Sequence, residues 1–174
     1  MCRLLSYVSD SETNFPKVVG KNFQEFVQLS KVHCDGWGIT DKNGEVFKEA
    51  TPAYESKDFM STLEKNPSQA SLLHIRWATS NLPVNRDNAH PFHYGDYSFI
   101  HNGSINPPTS LDSYISPEYL KLAKTGNDSE RYFLLVVEKM KELGVVNGVK
   151  AAVKVIKENT NYSSINAMLM TPEE

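Results

Sequence analysis

The dipeptide Asn43-Gly44 closes the polar stretch Asp41-Lys42-Asn43-Gly44, which lies between the short β-forming runs Gly38-Ile39-Thr40 and Val46-Phe47. Asn and Gly tolerate the positive φ of a tight two-residue turn, so this pattern is the strongest local signal for a β-hairpin and commits the chain to antiparallel pairing. Other apolar runs follow the same logic. Leu4-Leu5-Ser6-Tyr7-Val8 predicts a buried strand before the polar loop from Ser9 to Asn14, and Ser71 to Trp77 and Tyr97 to Ile100 predict two more. The last of these is expected to end at His101-Asn102-Gly103, before the Pro107-Pro108 turn. Helical spacing is expected from Val18 to Leu29 and from Ser56 to Lys65.

From Asn127 onward the pattern is helical. Asn127-Asp128-Ser129-Glu130 has the spacing of a capping box, Phe133, Val136, Val137 and Met140 form a stripe, and Gly144 stops it. A second helix carries Val149, Ala152, Val153 and Ile156, and Ser164 to Met170 alternates as a closing strand. Strands, two consecutive helices and a strand specify an α+β layered domain rather than alternating βα units. We read residues 1–174 as a single domain.

A net charge of −3 without a basic run argues against nucleic acid or an anionic membrane as partner. No run approaches the roughly 20 apolar residues of a membrane span, and no export signal opens the chain, so a cytosolic location is expected. Cys2 and Cys34 do not form a disulfide framework, and both are expected as thiols, Cys34 as a small buried residue beside the hairpin.

Several residues carry chemistry. Removal of Met1 exposes Cys2 with a thiol and a free α-amine, a nucleophile and a base on one residue. If Met1 is retained the amine is blocked, and the chain reads instead as a non-catalytic binding module. Arg76, at a strand end, offers the planar fork that grips a carboxylate, or an ordinary surface ion pair. Asn102-Gly103 offers a side-chain amide and a closely approachable backbone N–H, or a plain turn. Asp128 opens a helix, where a carboxylate favours the dipole, yet it is also a candidate partner for an ammonium group. His33, Cys34, His74, His90, His93 and His101 show no recognised ligand spacing, so no metal and no cofactor are expected.

Cys2, Asp35-Gly36-Trp37-Gly38, His74-Ile75-Arg76-Trp77-Ala78-Thr79, Asn88-Ala89-His90-Pro91-Phe92, His101-Asn102-Gly103 and Asn127-Asp128-Ser129-Glu130, in that order, resemble the class II glutamine amidotransferases. That family belongs to the N-terminal-nucleophile (Ntn) hydrolases. The resemblance, closest to the small single-domain branch, implies a four-layer αββα sandwich, here shortened at the C-terminus. It implies Cys2 as nucleophile, Asn102 and Gly103 as the oxyanion site, Arg76 with Thr79 on the substrate carboxylate, and Asp128 on its ammonium. The implied substrate is a small molecule, glutamine or a γ-glutamyl compound of glutathione type, hydrolysed through a thioester. A homo-oligomer or an ammonia-accepting partner is the further association this reading allows.

Overall fold

Strand β4 (Ser68–Ile75) is buried along nearly its whole length because it has a strand on each side. β1 (Arg3–Thr13) and β2 (Trp37–Asp41) both pair with it antiparallel, and β3 (Val46–Glu49) pairs with β2, giving the order β1-β4-β2-β3 among the described residues. The computed structural model describes residues 2–78 and 82–172. A second antiparallel sheet has the order β5-β6-β7, from Phe92–Tyr94, Tyr97–Asn106 and Asn161–Met170. The hairpin expected at Asn43-Gly44 is present: Asp41 Oδ1 accepts the Asn43 and Glu45 amides at 2.9 and 3.0 Å, an Asx turn that closes the β2–β3 connection.

Two units are distinguished along the chain, Met1–Asn102 with Ala167–Glu174, and Gly103–Asn166. In the first, the odd-numbered side chains of β2 and β4 lie on one face: Trp37, Ile39, Leu73 and Ile75 join Phe15, Phe23, Val27, Phe59 and Leu63. These aromatics and aliphatics come from α1 (Phe15–Val19), α2 (Phe23–Gln28) and α3 (Phe59–Lys65). Phe59 is wholly buried, which contributes about 1.5–3 kcal/mol. The even-numbered face carries Ala70 and Leu72, which meet Ile100 and Met170. Farther along that face Thr40 and Ser98 share a hydrogen bond of 3.3 Å. In the second unit α5 (Asp128–Leu143) and α6 (Val145–Asn159) are the long helices, preceded by a 3-10 segment, Pro108–Tyr114, and the single turn α4 (Pro117–Leu120).

The α+β expectation holds, and local departures have physical causes. The helix expected from Val18 to Leu29 is broken into α1 and α2 by a 3-10 turn at Gly20–Asn22, with Gly20 at positive φ ending α1. β1 runs past Val8 to Thr13, with a register shift between those residues and Val8 81% exposed. β6 does not end at His101-Asn102-Gly103 but continues to Asn106, so that Asn-Gly pair is strand, not turn. The expected capping box is half formed. Asn127 Oδ1 accepts the Ser129 amide at 2.9 Å, but Glu130 reaches back to the amides of Lys124 and Thr125 at 3.0 and 2.9 Å.

Candidate active site

Register brings three strand ends together. Arg3 of β1 and Trp37 of β2 both pair with Ile75, the last residue of β4. The residues just outside those ends, Cys2, Gly36 and Arg76, are therefore neighbours although they are far apart in sequence. Strand alternation then sets direction: Cys2 follows the parity of Leu4, and Arg76 that of Leu72 and His74, whose face looks onto β6. On β6, Asn102 follows the parity of Ser98 and Ile100. The Cys2 nitrogen donates to Asn102 Oδ1 at 3.0 Å, which joins the two sheets at the candidate nucleophile.

The thiol is held by the backbone of the residue after Arg76. The Trp77 N–H points at Cys2 Sγ at 3.4 Å, and Sγ lies 3.5 Å from the Trp77 carbonyl. Burial pushes the Cys2 thiol above its ordinary value, against the opposing pull of the Trp77 backbone and the Arg76 guanidinium. Arg76 is 3% exposed, and one of its terminal nitrogens donates to the Pro83 carbonyl at 3.2 Å. The other, Nη1, is buried with no hydrogen-bond partner among the described residues. An unmatched buried guanidinium N–H is costly, and a carboxylate oxygen is the group that would satisfy it best.

Two glycines let the backbone pack this tightly. Gly36 sits at φ 116°, and a Cβ there would lie 2.3 Å from the Glu49 carbonyl oxygen. At Gly38 a Cβ would lie 2.0 Å from the His90 carbonyl oxygen, so only glycine admits the crossing of the Asn88–Phe92 segment. That crossing stacks His90 on His74, ring centroids 4.2 Å apart, while His74 Nε2 lies 3.4 Å from the His101 carbonyl. Burial drives the His74 pKa down to about 3 and that of His90 well below its ordinary value, so both rings are neutral.

The remaining sequence candidates stand as follows. Thr79 and Met1 lie outside the described residues. Gly103 and Asp128 belong to the second unit, where Asp128 is 5% exposed and its Oδ2 accepts the Ile105 amide at 2.7 Å. Cys34 is exposed rather than buried, because it sits in the loop ahead of β2 and not on its packed face. Among the described residues no group of three His, Cys, Asp or Glu side chains is arranged to hold a metal ion. Sequence reasoning assigned no role to Asp35, whose carboxylate accepts the Ala78 amide at 2.7 Å. Its place one residue ahead of the Gly36-Trp37-Gly38 run is the signal that points to it.

A family model described as glutamine amidotransferases class-II matches residues 1–169. The chain is 27% identical over 143 residues to DUG3, a probable glutamine amidotransferase of Saccharomyces cerevisiae, across 73% of this chain and 40% of that protein. It thus spans well under half of that curated relative. Among solved structures it is similar to a glutamine aminotransferase class-II domain protein from Silicibacter pomeroyi, with TM-score 0.61 and 19% identity over 79% of this chain and 65% of that one. It is also similar to the glutamine phosphoribosylpyrophosphate amidotransferase of B. subtilis, with TM-score 0.61 and 14% identity over 99% of this chain and 35% of that one. These likenesses establish the fold as the Ntn-hydrolase type expected from the sequence.

Proposed function

Because the chain belongs to the class II glutamine amidotransferases, we propose that it hydrolyses the side-chain amide of glutamine to glutamate and ammonia, with Cys2 as the nucleophile. The observation that carries this reading is the buried, unpartnered Nη1 of Arg76 beside a thiol already gripped by the Trp77 amide. Together they supply a carboxylate anchor and a nucleophile at one sheet end.

The reaction follows from these groups. The α-amine freed by loss of Met1 takes the thiol proton, and Sγ attacks the amide carbon. Asn102 Nδ2 and the Gly103 N–H stabilise the developing oxyanion, while Asn102 Oδ1 keeps the amine in place. The resulting ammonium protonates the leaving nitrogen, ammonia departs, and a thioester remains. Water, deprotonated by the same amine, attacks that thioester, releasing glutamate and restoring the thiol. The roles implied for Thr79 on the carboxylate and Asp128 on the ammonium belong to the same reading. So does a cytosolic setting, in which both cysteines stay reduced; no helix among the described residues is long and apolar enough to cross a membrane.

The test is direct. Intact mass establishes loss of Met1, and incubation with glutamine should release ammonia and glutamate in equal amounts. Cys2→Ala should abolish both products while leaving the melting curve in place. Undiminished turnover in that variant removes Cys2 from the reaction.

A further inference from the structure

The three residues after β4 are tied down unequally. The Arg76 amide donates to the Gly36 carbonyl at 2.8 Å, and the Arg76 carbonyl accepts the Asp35 amide at 3.1 Å. The Ala78 amide donates to Asp35 Oδ2 at 2.7 Å, a short, charge-assisted bond. Between them the Trp77 amide is aimed at Cys2 Sγ at 3.4 Å. The Asp35-Gly36 pair therefore clamps the amides on both sides of the one that meets the thiol. The clamp is itself fixed, since Gly36 passes β3 so closely that a Cβ would lie 2.3 Å from the Glu49 carbonyl oxygen. Beyond Ile75 the β2–β4 ladder has ended, so nothing in the regular sheet holds Ala78 in this direction.

We propose that Asp35 is a positioning residue for the nucleophile: its carboxylate, by holding the Ala78 amide, keeps the Trp77 N–H directed at Cys2 Sγ, where it stabilises the thiolate. Asp35 touches neither substrate nor the Cys2 sulfur in this role; the sulfur it meets is that of Cys34, at 4.0 Å. It acts through the backbone, and its negative charge is incidental, since that charge by itself opposes the thiolate. The inference rests on Cys2 as the reacting thiol.

Two substitutions separate the acceptor from the charge. Asp35→Asn removes the charge and keeps an oxygen for Ala78, whereas Asp35→Ala removes both. Iodoacetamide alkylation, followed across pH and read at Cys2 by peptide mass, reports its thiol. N-acetylcysteine added to each reaction serves as the control, because Cys34 Sγ lies 4.0 Å from Asp35 Oδ1 and is not independent of the substitution. At about pH 7 the Ala variant should alkylate Cys2 about tenfold more slowly than the Asn variant, one unit in apparent pKa, with the added thiol alkylated equally in both. Equal Cys2 rates in the two variants overturn the proposal. Should Asp35→Ala fail to fold, the comparison moves to Asp35→Asn and the parent protein. Cys2 alkylation as fast as or faster than the parent supports the acceptor role, and slower alkylation in a folded variant refutes it. Because alkylation does not require turnover, a parent that alkylates at Cys2 yet releases no ammonia counts against the glutaminase reading and leaves this result intact.

Discussion

Lowering the pH should unfold this protein through two histidines that take no part in the proposed chemistry. His74 and His90 are stacked, buried and neutral; both ring nitrogens of His90 and Nδ1 of His74 have no hydrogen-bond partner among the described residues. The charged and titratable groups facing them are Arg76, His101 and Lys48, all of which oppose a further positive charge. A depressed histidine pKa means that the unfolded chain takes up the proton first. Stability is therefore full above about pH 6.5 and is lost as the pH falls towards the folded value, which for His74 is about 3. At about pH 5, some 1.5 units below the unfolded value, each ring costs about 2 kcal/mol and the pair about 4. Against a typical total of about 5–15 kcal/mol, that loss lowers the Tm of a chain this size by roughly 8–16 °C. Melting curves at about pH 7.5 and about pH 5 measure the gap, and His90→Phe should narrow it by about half, since the ring volume is kept and one titrating group is gone. A gap of the same width in His90→Phe and the parent would refute the reasoning.

Three further outcomes test the site. Arg76→Lys should raise the KM for glutamine at least about tenfold, because an ammonium cannot supply the paired N–H groups of the fork; steady-state kinetics checks this, and an unchanged KM places the carboxylate elsewhere. Asn102→Ala should lower kcat by about 10²–10³ with little effect on KM, since the donor acts on charge that appears only in the transition state; a pure KM effect reassigns it to ground-state binding. Asp128→Asn should erase discrimination between glutamine and its desamino analogue while keeping an acceptor for the Ile105 amide, whereas Asp128→Ala should also cost about 1–3 kcal/mol by orphaning that buried N–H. Unchanged discrimination in the Asn variant removes Asp128 from substrate recognition.

Much of this arrangement was legible in the sequence because strands alternate. Leu72, His74 and Arg76 share a parity, as do Ser98, Ile100 and Asn102, and each series leads from apolar core to candidate chemistry in steps of two. Motif order supplied the rest of the recognition. What escaped were features decided by distant partners. His101-Asn102-Gly103 looks like a stop, yet it stays extended within β6, which runs on past the end of its pairing with β5 at Phe99. Glu130 has capping-box spacing, but the loop ahead of α5 folds back and offers it two amides and the Thr125 hydroxyl instead. Cys34, expected as a small buried residue beside the hairpin, is exposed because it lies in the loop ahead of β2, where Trp37 is the residue that enters the core. The contact Asp35 makes had no signal beyond its place ahead of Gly36-Trp37-Gly38, since its partner Ala78 offers a backbone amide without a side-chain signature.

The register of β1 also orders events in time. Its partner among the described residues is β4, and Arg3 meets Ile75 only after the intervening chain has been made. At synthesis rates of about 5–20 residues per second, the ribosome needs roughly 4–14 s to make those residues. Through that interval the nascent strand carrying Cys2 has no ladder to join, and its amide is open to processing enzymes. Once β4 and, later in the chain, β6 have been made, the same nitrogen is held against Asn102 Oδ1. The order of the strands thus works as a clock, leaving the Cys2 amide open early and enclosing it only after strands of both sheets are made.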